Sequence, residues 1–169
     1  MADPLKLQVL KALTAHIEGI DGTDDAHRGF DLRDCVFRGF NRHGEEAPPT
    51  LVNIIEAPRP DPGRTGGELD ANRKWDWTLL LQAWTDKDID LQNPTDVAYL
   101  LEDALLARLN MLIAMDSMMG MPKYPEVYLL GRLITELSCG PGVVRPPADN
   151  LTSKAVLYLP VRIGLATVG

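Results

Sequence analysis

Residues 75–85 read WDWTLLLQAWT. Trp75, Trp77, Leu79, Leu81 and Ala83 fall on one side of a period of two. Asp76, Thr78 and Gln82 fall on the other, with Asp86 continuing that side. A period of two with one apolar side predicts a β-strand burying one face. Leu80 and Trp84 interrupt the polar side, so that face is also expected to be partly covered. Residues 93–115, NPTDVAYLLEDALLARLNMLIAM, change the period. Asn93-Pro94 is a cap-then-proline helix start. A narrow polar stripe of Asp96, Asp103 and Asn110, with Glu102 beside it, runs through an otherwise apolar segment. The helix is expected to reach Met115 or beyond and to pack on its own sheet and on something further.

Outward from this pair the chain alternates without repeated βαβ units. Asp3 and Pro4 are expected to start a first helix, on which Leu10, Leu13, Ile17 and Ile20 recur at helical spacing and which ends at Asp21-Gly22. Thr23–Arg28 reads as a polar loop. Strands are expected at Arg33–Phe40 and Thr50–Ala57. Beyond the second helix, Val127–Cys139 and Lys154–Thr167 read as long strands, and Pro160 within the last suggests a sheet edge or a bulge. This order predicts one α+β domain over 1–169: a mostly antiparallel β-sheet with two α-helices packed on it. It carries a long irregular segment at 58–74, PRPDPGRTGGELDANRK, of the kind that is functional or disordered.

Composition excludes several functions. The 169 residues are 45% hydrophobic and 24% charged, ordinary for a globular domain. A net charge of -7 argues against a grip on nucleic-acid phosphates. The N-terminus has no basic segment leading into an apolar run, and no stretch approaches 18 uninterrupted apolar residues, so neither export nor a membrane span is expected. Cys35 and Cys139 are too few for a disulfide framework or a four-ligand zinc site, and read as reduced strand residues.

No catalytic constellation stands out. Phosphate-loop and dinucleotide glycine motifs are absent. His16 is expected on the first helix, while His27 and His43 read as solvated. None has metal-ligand spacing, and the Asp21, Asp24, Asp25 cluster lacks the alternation of a calcium loop. Cys139 has no evident base to activate it. No cofactor is expected.

Three features rise above this background. Five of the 6 methionines lie between Met111 and Met121, and Met111, Met115, Met118 and Met119 would share one helical face. Core packing is the simpler reading and an adaptable contact surface the alternative. The 58–74 segment mixes Arg59, Arg64 and Arg73 with Asp61 and Glu68, which suits a polar protein contact better than DNA. The second helix and the Trp84 side of the strand carry more apolar surface than one small sheet can cover, which suggests subunit packing. Candidate partner-contact residues are therefore Arg59, Asp61, Arg64, Glu68, Arg73, Trp84, Met115, Met118 and Met119.

WDWTLLLQAWTDKD, the NPTDVAYLLEDALLARL helix and the closing SKAVLYLPVRIG strand, reached through PPADN, resemble the tail terminator (tail completion) proteins of long-tailed bacteriophages. The N-terminal helix fits in order and position, so the resemblance spans most of the chain. It implies a virion protein without enzymatic activity, assembled in the host cytoplasm. Its homohexameric ring would cap the head-proximal end of the tail tube, stop polymerisation and join the capsid. The partners implied are other copies of the chain, the tail tube protein and a head-completion or connector protein. DNA would pass through the ring without specific binding, and acidic groups facing the channel would limit sticking. The competing expectations are another ring of the head–tail junction or tail tube, and a small α+β enzyme using residues such as His43, Asp61 and Cys139.

Overall fold

The computed structural model describes residues 2–39, 48–57, 75–86, 91–147 and 154–165. Helix α1 spans Leu5–Glu18, α2 Asp96–Asn110 and the short turn α3 Leu129–Arg132. The strands are β1 (Val36–Arg38), β2 (Thr50–Glu56), β3 (Trp75–Asp86), β4 (Met115–Asp116), β5 (Met121–Pro122), β6 (Glu136–Cys139), β7 (Val143–Arg145) and β8 (Lys154–Leu165). The domain is α+β, as its sequence predicts. The main sheet runs β1-β2-β3-β8-β6, with β7 also paired to β8. Among the described strands only β1 and β2 pair in parallel, so the sheet is mixed and mostly antiparallel.

The β3–β8 pairing is the spine of the sheet, with an unbroken register from Trp75↔Leu165 to Asp86↔Lys154. One face carries Trp77, Leu79, Leu81 and Ala83 of β3 together with Leu157, Leu159, Val161 and Ile163 of β8. Leu13 and Ile17 of α1 and Leu101, Leu105 and Leu109 of α2 close over it in one hydrophobic core. The α2 stripe recurs at i, i+4, i+8, as one buried side of a helix requires. Leu105 is fully buried, and Leu105→Ala is expected to cost about 3 kcal/mol, readable in a urea titration.

The opposite face is apolar in part, with a row of Asn53, Gln82 and Tyr158 lying between two apolar rows. Leu51, Trp84 and Val156 form one cross-strand row, and Ile55, Leu80 and Pro160 another. Leu51 and Val156 are buried and Trp84 half-buried. The partial cover expected of this side is therefore present.

Local chemistry explains where the sequence expectations fail. Helix α1 begins after Pro4, and Asp3 makes no cap; its carboxylate instead pairs with Lys11 at 2.7 Å. The helix ends at Glu18, capped by Gly19, ahead of Asp21-Gly22. The strand expected at Arg33–Phe40 shrinks to β1, because Asp31 ties the backbone N–H of Arg33 into a turn and Asp34 takes a left-handed φ of 57°. Phe40 lies outside the described residues. The strand expected over Val127–Cys139 is reduced to β6, since the left-handed α3 breaks the segment before it.

Pro160 is neither on an edge nor in a bulge. Its carbonyl accepts from Gly140 N–H at 2.9 Å, on the side facing β6 and β7. In a strand the N–H and C=O of one residue point the same way, so the missing donor faces the break between β6 and β7. Nothing in the ladder is lost there.

Candidate functional site

The methionine segment is not helical. Helix α2 stops at Asn110, and Leu112 turns into the core, fully buried. From there residues 113–128 leave the body of the domain and return. Leu129 N–H donates to Leu112 O at 2.8 Å and Lys123 N–H to Ala114 O at 2.9 Å, closing the base of this excursion twice. Its outer part is a small hairpin, β4 against β5, in which Asp116 faces Met121. Asp116 Oδ1 accepts from Met118 N–H at 3.0 Å and Asp116 O from Gly120 N–H at 2.9 Å. Gly120 supplies the positive φ of 64° that reverses the chain. A short acid side chain bonding its own backbone, followed by glycine, competes with helix; this is why the apolar periodicity misleads here.

The core reading of the methionines is therefore wrong. Met118 is 93% exposed and Met119 70%, and Met115 and Met121 are also open to solvent. Thioether side chains repack readily against irregular apolar partners, and here they stand in solvent on a projecting arm. Compact excursions with joined ends are a common place for function.

The return leg is held unusually. Leu129, Leu130, Gly131 and Arg132 all have left-handed φ, at 50°, 53°, 67° and 68°. Each non-glycine residue there costs about 1–2 kcal/mol. The turn is offset by Leu130 entering the core and by the Leu129–Leu112 hydrogen bond. Arg132 stacks over the Tyr128 ring at 5.4 Å, and Lys123 over Tyr124 at 5.6 Å.

A second apolar surface lies near the other end of α2. Tyr99 (56% exposed) and Leu100 stand open on the helix, with Leu91 before it. Exposed Val143 of β7 follows Gly142, which lies against Glu102. Tyr99 lies in the first turn of α2, and the helix runs about 16 Å further, at 1.5 Å per residue, to Asn110 before the arm departs. The signal of both surfaces in the sequence was the width of the apolar band on α2, which exceeds one buried stripe.

Between α2 and β6 runs an open groove of about 420 Å³. It is lined by Leu106, Ala107, Ile113, Leu137 and Cys139, with Asp103 and Asn110 as its polar members. Burial pushes the Cys139 thiol up to about 11. It is protonated at neutral pH and unsuited to nucleophilic attack. His43 and Asp61, the other residues weighed for an enzyme, lie outside the described residues.

The remaining candidate groups resolve into structural roles. His27 is not solvated: it is buried, with Nδ1 4.0 Å from Asp24 Oδ2, and burial lowers its pKa despite that carboxylate. Asp24 itself caps Ala26 N–H at 2.9 Å, and Asp21 accepts from Thr23 N–H and Oγ1. His16 is buried on α1, as placed by the sequence. Its Nε2 lies 2.7 Å from Arg108 O, and since a carbonyl only accepts, that nitrogen carries the proton. Arg108 Nε returns a 2.7 Å bond to His16 O, so the two residues lock α1 to α2 reciprocally. Arg28 pairs with Asp103 at 2.7 Å across exposed surface. Asp103→Asn is expected to cost less than about 1 kcal/mol in a urea titration, because water screens such pairs.

Of the sequence-derived contact residues, Met115, Met118 and Met119 share the arm, while Trp84 lies on the sheet, away from it. Arg59, Asp61, Arg64, Glu68 and Arg73 lie outside the described residues, as does the whole 58–74 segment. Among the described residues no group of three or more His, Cys, Asp or Glu side chains is placed to hold a metal ion, and no helix is long and apolar enough to cross a membrane. No protein-family model matches the chain, and no curated protein matches it.

Proposed function

We propose that this protein is a structural ring subunit of the tail terminator kind, which caps a phage tail tube and offers the surface that joins the head. The observation that carries this reading is the presence of two separate apolar surfaces, the methionine arm and the Tyr99/Leu100/Val143 patch, at opposite ends of α2. Contiguous exposed apolar surface commonly marks a contact with another protein. A ring subunit needs one pair of surfaces for its neighbours, because a head-to-tail interface closes into a ring. It needs a further surface for the tube end. In this reading the arm serves the neighbours and the Tyr99 patch serves the tube.

The acidic balance of the chain suits a channel through which DNA slides. A channel lined mainly by Arg and Lys would count against that part of the proposal.

The test is tube assembly. Adding the protein to polymerising tail tube protein is expected to yield capped tubes of limited length, with density at one end only. Tyr99→Glu is expected to abolish end binding while leaving the oligomer intact, read by electron microscopy and native mass. Tubes that grow unhindered with no bound protein would refute the terminator reading.

A further inference from the structure

We infer that the methionine arm is a reversible oxidation site, at which hydrogen peroxide converts exposed thioethers into polar sulfoxides while the fold stays intact. A single chain suffices for this chemistry, whether or not copies assemble. The chain holds 2 cysteines and 6 methionines. Both cysteines are poor targets, because the thiolate is the form that reacts with peroxide. Burial, with the carboxylates of Asp31, Asp34 and Glu18, holds the Cys35 thiol above its usual range, and burial does the same to Cys139. Met111 is half-buried, and its sulfur accepts from Arg108 Nη1 at 3.5 Å. Met1 lies outside the described residues. The other four thioethers, Met115, Met118, Met119 and Met121, are gathered on one hairpin, with exposures from 48% at Met115 to 93% at Met118.

Exposure alone does not explain the choice of residue. Leucine would present a similar apolar surface, but only the thioether can be made polar and then made apolar again. In the forward step a sulfur lone pair attacks one oxygen of hydrogen peroxide. The S–O bond forms as the O–O bond breaks, and the sulfur gives up two electrons. The departing hydroxide takes the proton from the transferred oxygen and leaves as water. In the return step a thiol-dependent methionine sulfoxide reductase removes the oxygen as water, while two thiols close to a disulfide.

The arm is built to survive this change. Its shape is held by backbone groups: Leu129 N–H on Leu112 O, Lys123 N–H on Ala114 O, and Gly120 N–H on Asp116 O. The Asp116 carboxylate adds its bond from Met118 N–H. None of these bonds uses a sulfur, and none of the four side chains belongs to the hydrophobic core. Oxidation of a buried methionine disrupts packing. Oxidation here replaces an apolar surface by a polar one on an unchanged hairpin.

Treating the folded protein with dilute hydrogen peroxide at neutral pH tests this. Peptide mapping by mass spectrometry should find oxygen on the four arm methionines roughly tenfold sooner than on Met111 or either cysteine, since susceptibility follows exposure and thiolate character. Tm should be unchanged. Retention on a hydrophobic-interaction column should fall, and methionine sulfoxide reductase with dithiothreitol should restore it. A chain carrying Met115→Leu, Met118→Leu, Met119→Leu and Met121→Leu should keep its Tm and show no loss of retention with peroxide. Met111 or a cysteine reacting first, a Tm that falls as the arm is oxidised, or a retention that does not move or does not recover would each overturn the inference. Because every readout is taken on the single chain, failure of the ring reading leaves these results as they are.

Discussion

Trp84→Glu is expected to destabilise the folded subunit by about 4 kcal/mol, a fall in Tm of roughly 10 °C for a domain of this size. The sequence suggests a different outcome, release of subunits with the fold retained, because Trp84 looks like an apolar residue on an outer strand face. In the structure Trp84 lies in a cross-strand row between Leu51 and Val156, both buried, and is itself half-buried. A carboxylate there loses the packing of the indole and places charge beside two buried aliphatic side chains. Circular dichroism during thermal unfolding, run below the concentration at which the protein associates, separates the two outcomes. Reduced Tm in the monomer is the expected result; unchanged Tm with lost assembly would return Trp84 to an interface.

Acid is expected to cost the fold about 3 kcal/mol between pH 6.5 and pH 4 through His16. Burial on α1 lowers the His16 pKa from 6.5 to about 4, the hydrogen bond to Arg108 O opposing this only in part, with Arg108 and His27 nearby lowering it further. Above pH 6.5 His16 is neutral in both folded and unfolded chains, so its contribution is fully present. As pH falls below 6.5 the unfolded chain takes up a proton that the folded chain refuses, and stability drops by about 1.4 kcal/mol per pH unit until the folded imidazole also titrates. His27 is lowered as well and acts in the same direction. The Asp31 carboxyl, held down to about 2 by the Arg33 hydrogen bonds, loses its contribution only below its usual value of 3.8, outside this window. Urea titrations at half-unit pH steps should show the slope. His16→Gln, which keeps an N–H donor for Arg108 O, should flatten most of it. A slope unchanged in that variant would place the acid sensitivity elsewhere.

What could be read from the sequence follows the strength of its periodicity. Strands β3 and β8 are legible because twelve alternating residues admit one reading. Helix α2 is legible from its apolar stripe alone: it begins at Asp96 behind Thr95, which makes no side-chain cap, and not at the Asn93-Pro94 start expected from the sequence. The α+β class follows from them. The methionine segment misleads because Met111, Met115, Met118 and Met119 keep helical spacing while Asp116 and Gly120 turn the backbone away. The competing signal was present in those two residues. No local signal marks α3, since leucines enter left-handed backbone only where tertiary packing forces them. His27 reads as solvated because its neighbours are polar; its burial comes from packing of the 3-10 turn at Asp25–His27 on α2, which is distant in sequence. The arm was half legible, as a methionine cluster without its shape. Tyr99 and Leu100 were hidden in a helix whose apolar residues exceed what one core stripe needs.

The most direct measurement is native mass with negative-stain imaging of the purified protein over a range of concentrations, with and without tail tubes. The account predicts a species of six chains of 18.6 kDa, seen as a ring with a central hole and found on one end of each tube. A protein that remains a single 18.6 kDa chain in solution and leaves tube ends bare would contradict it.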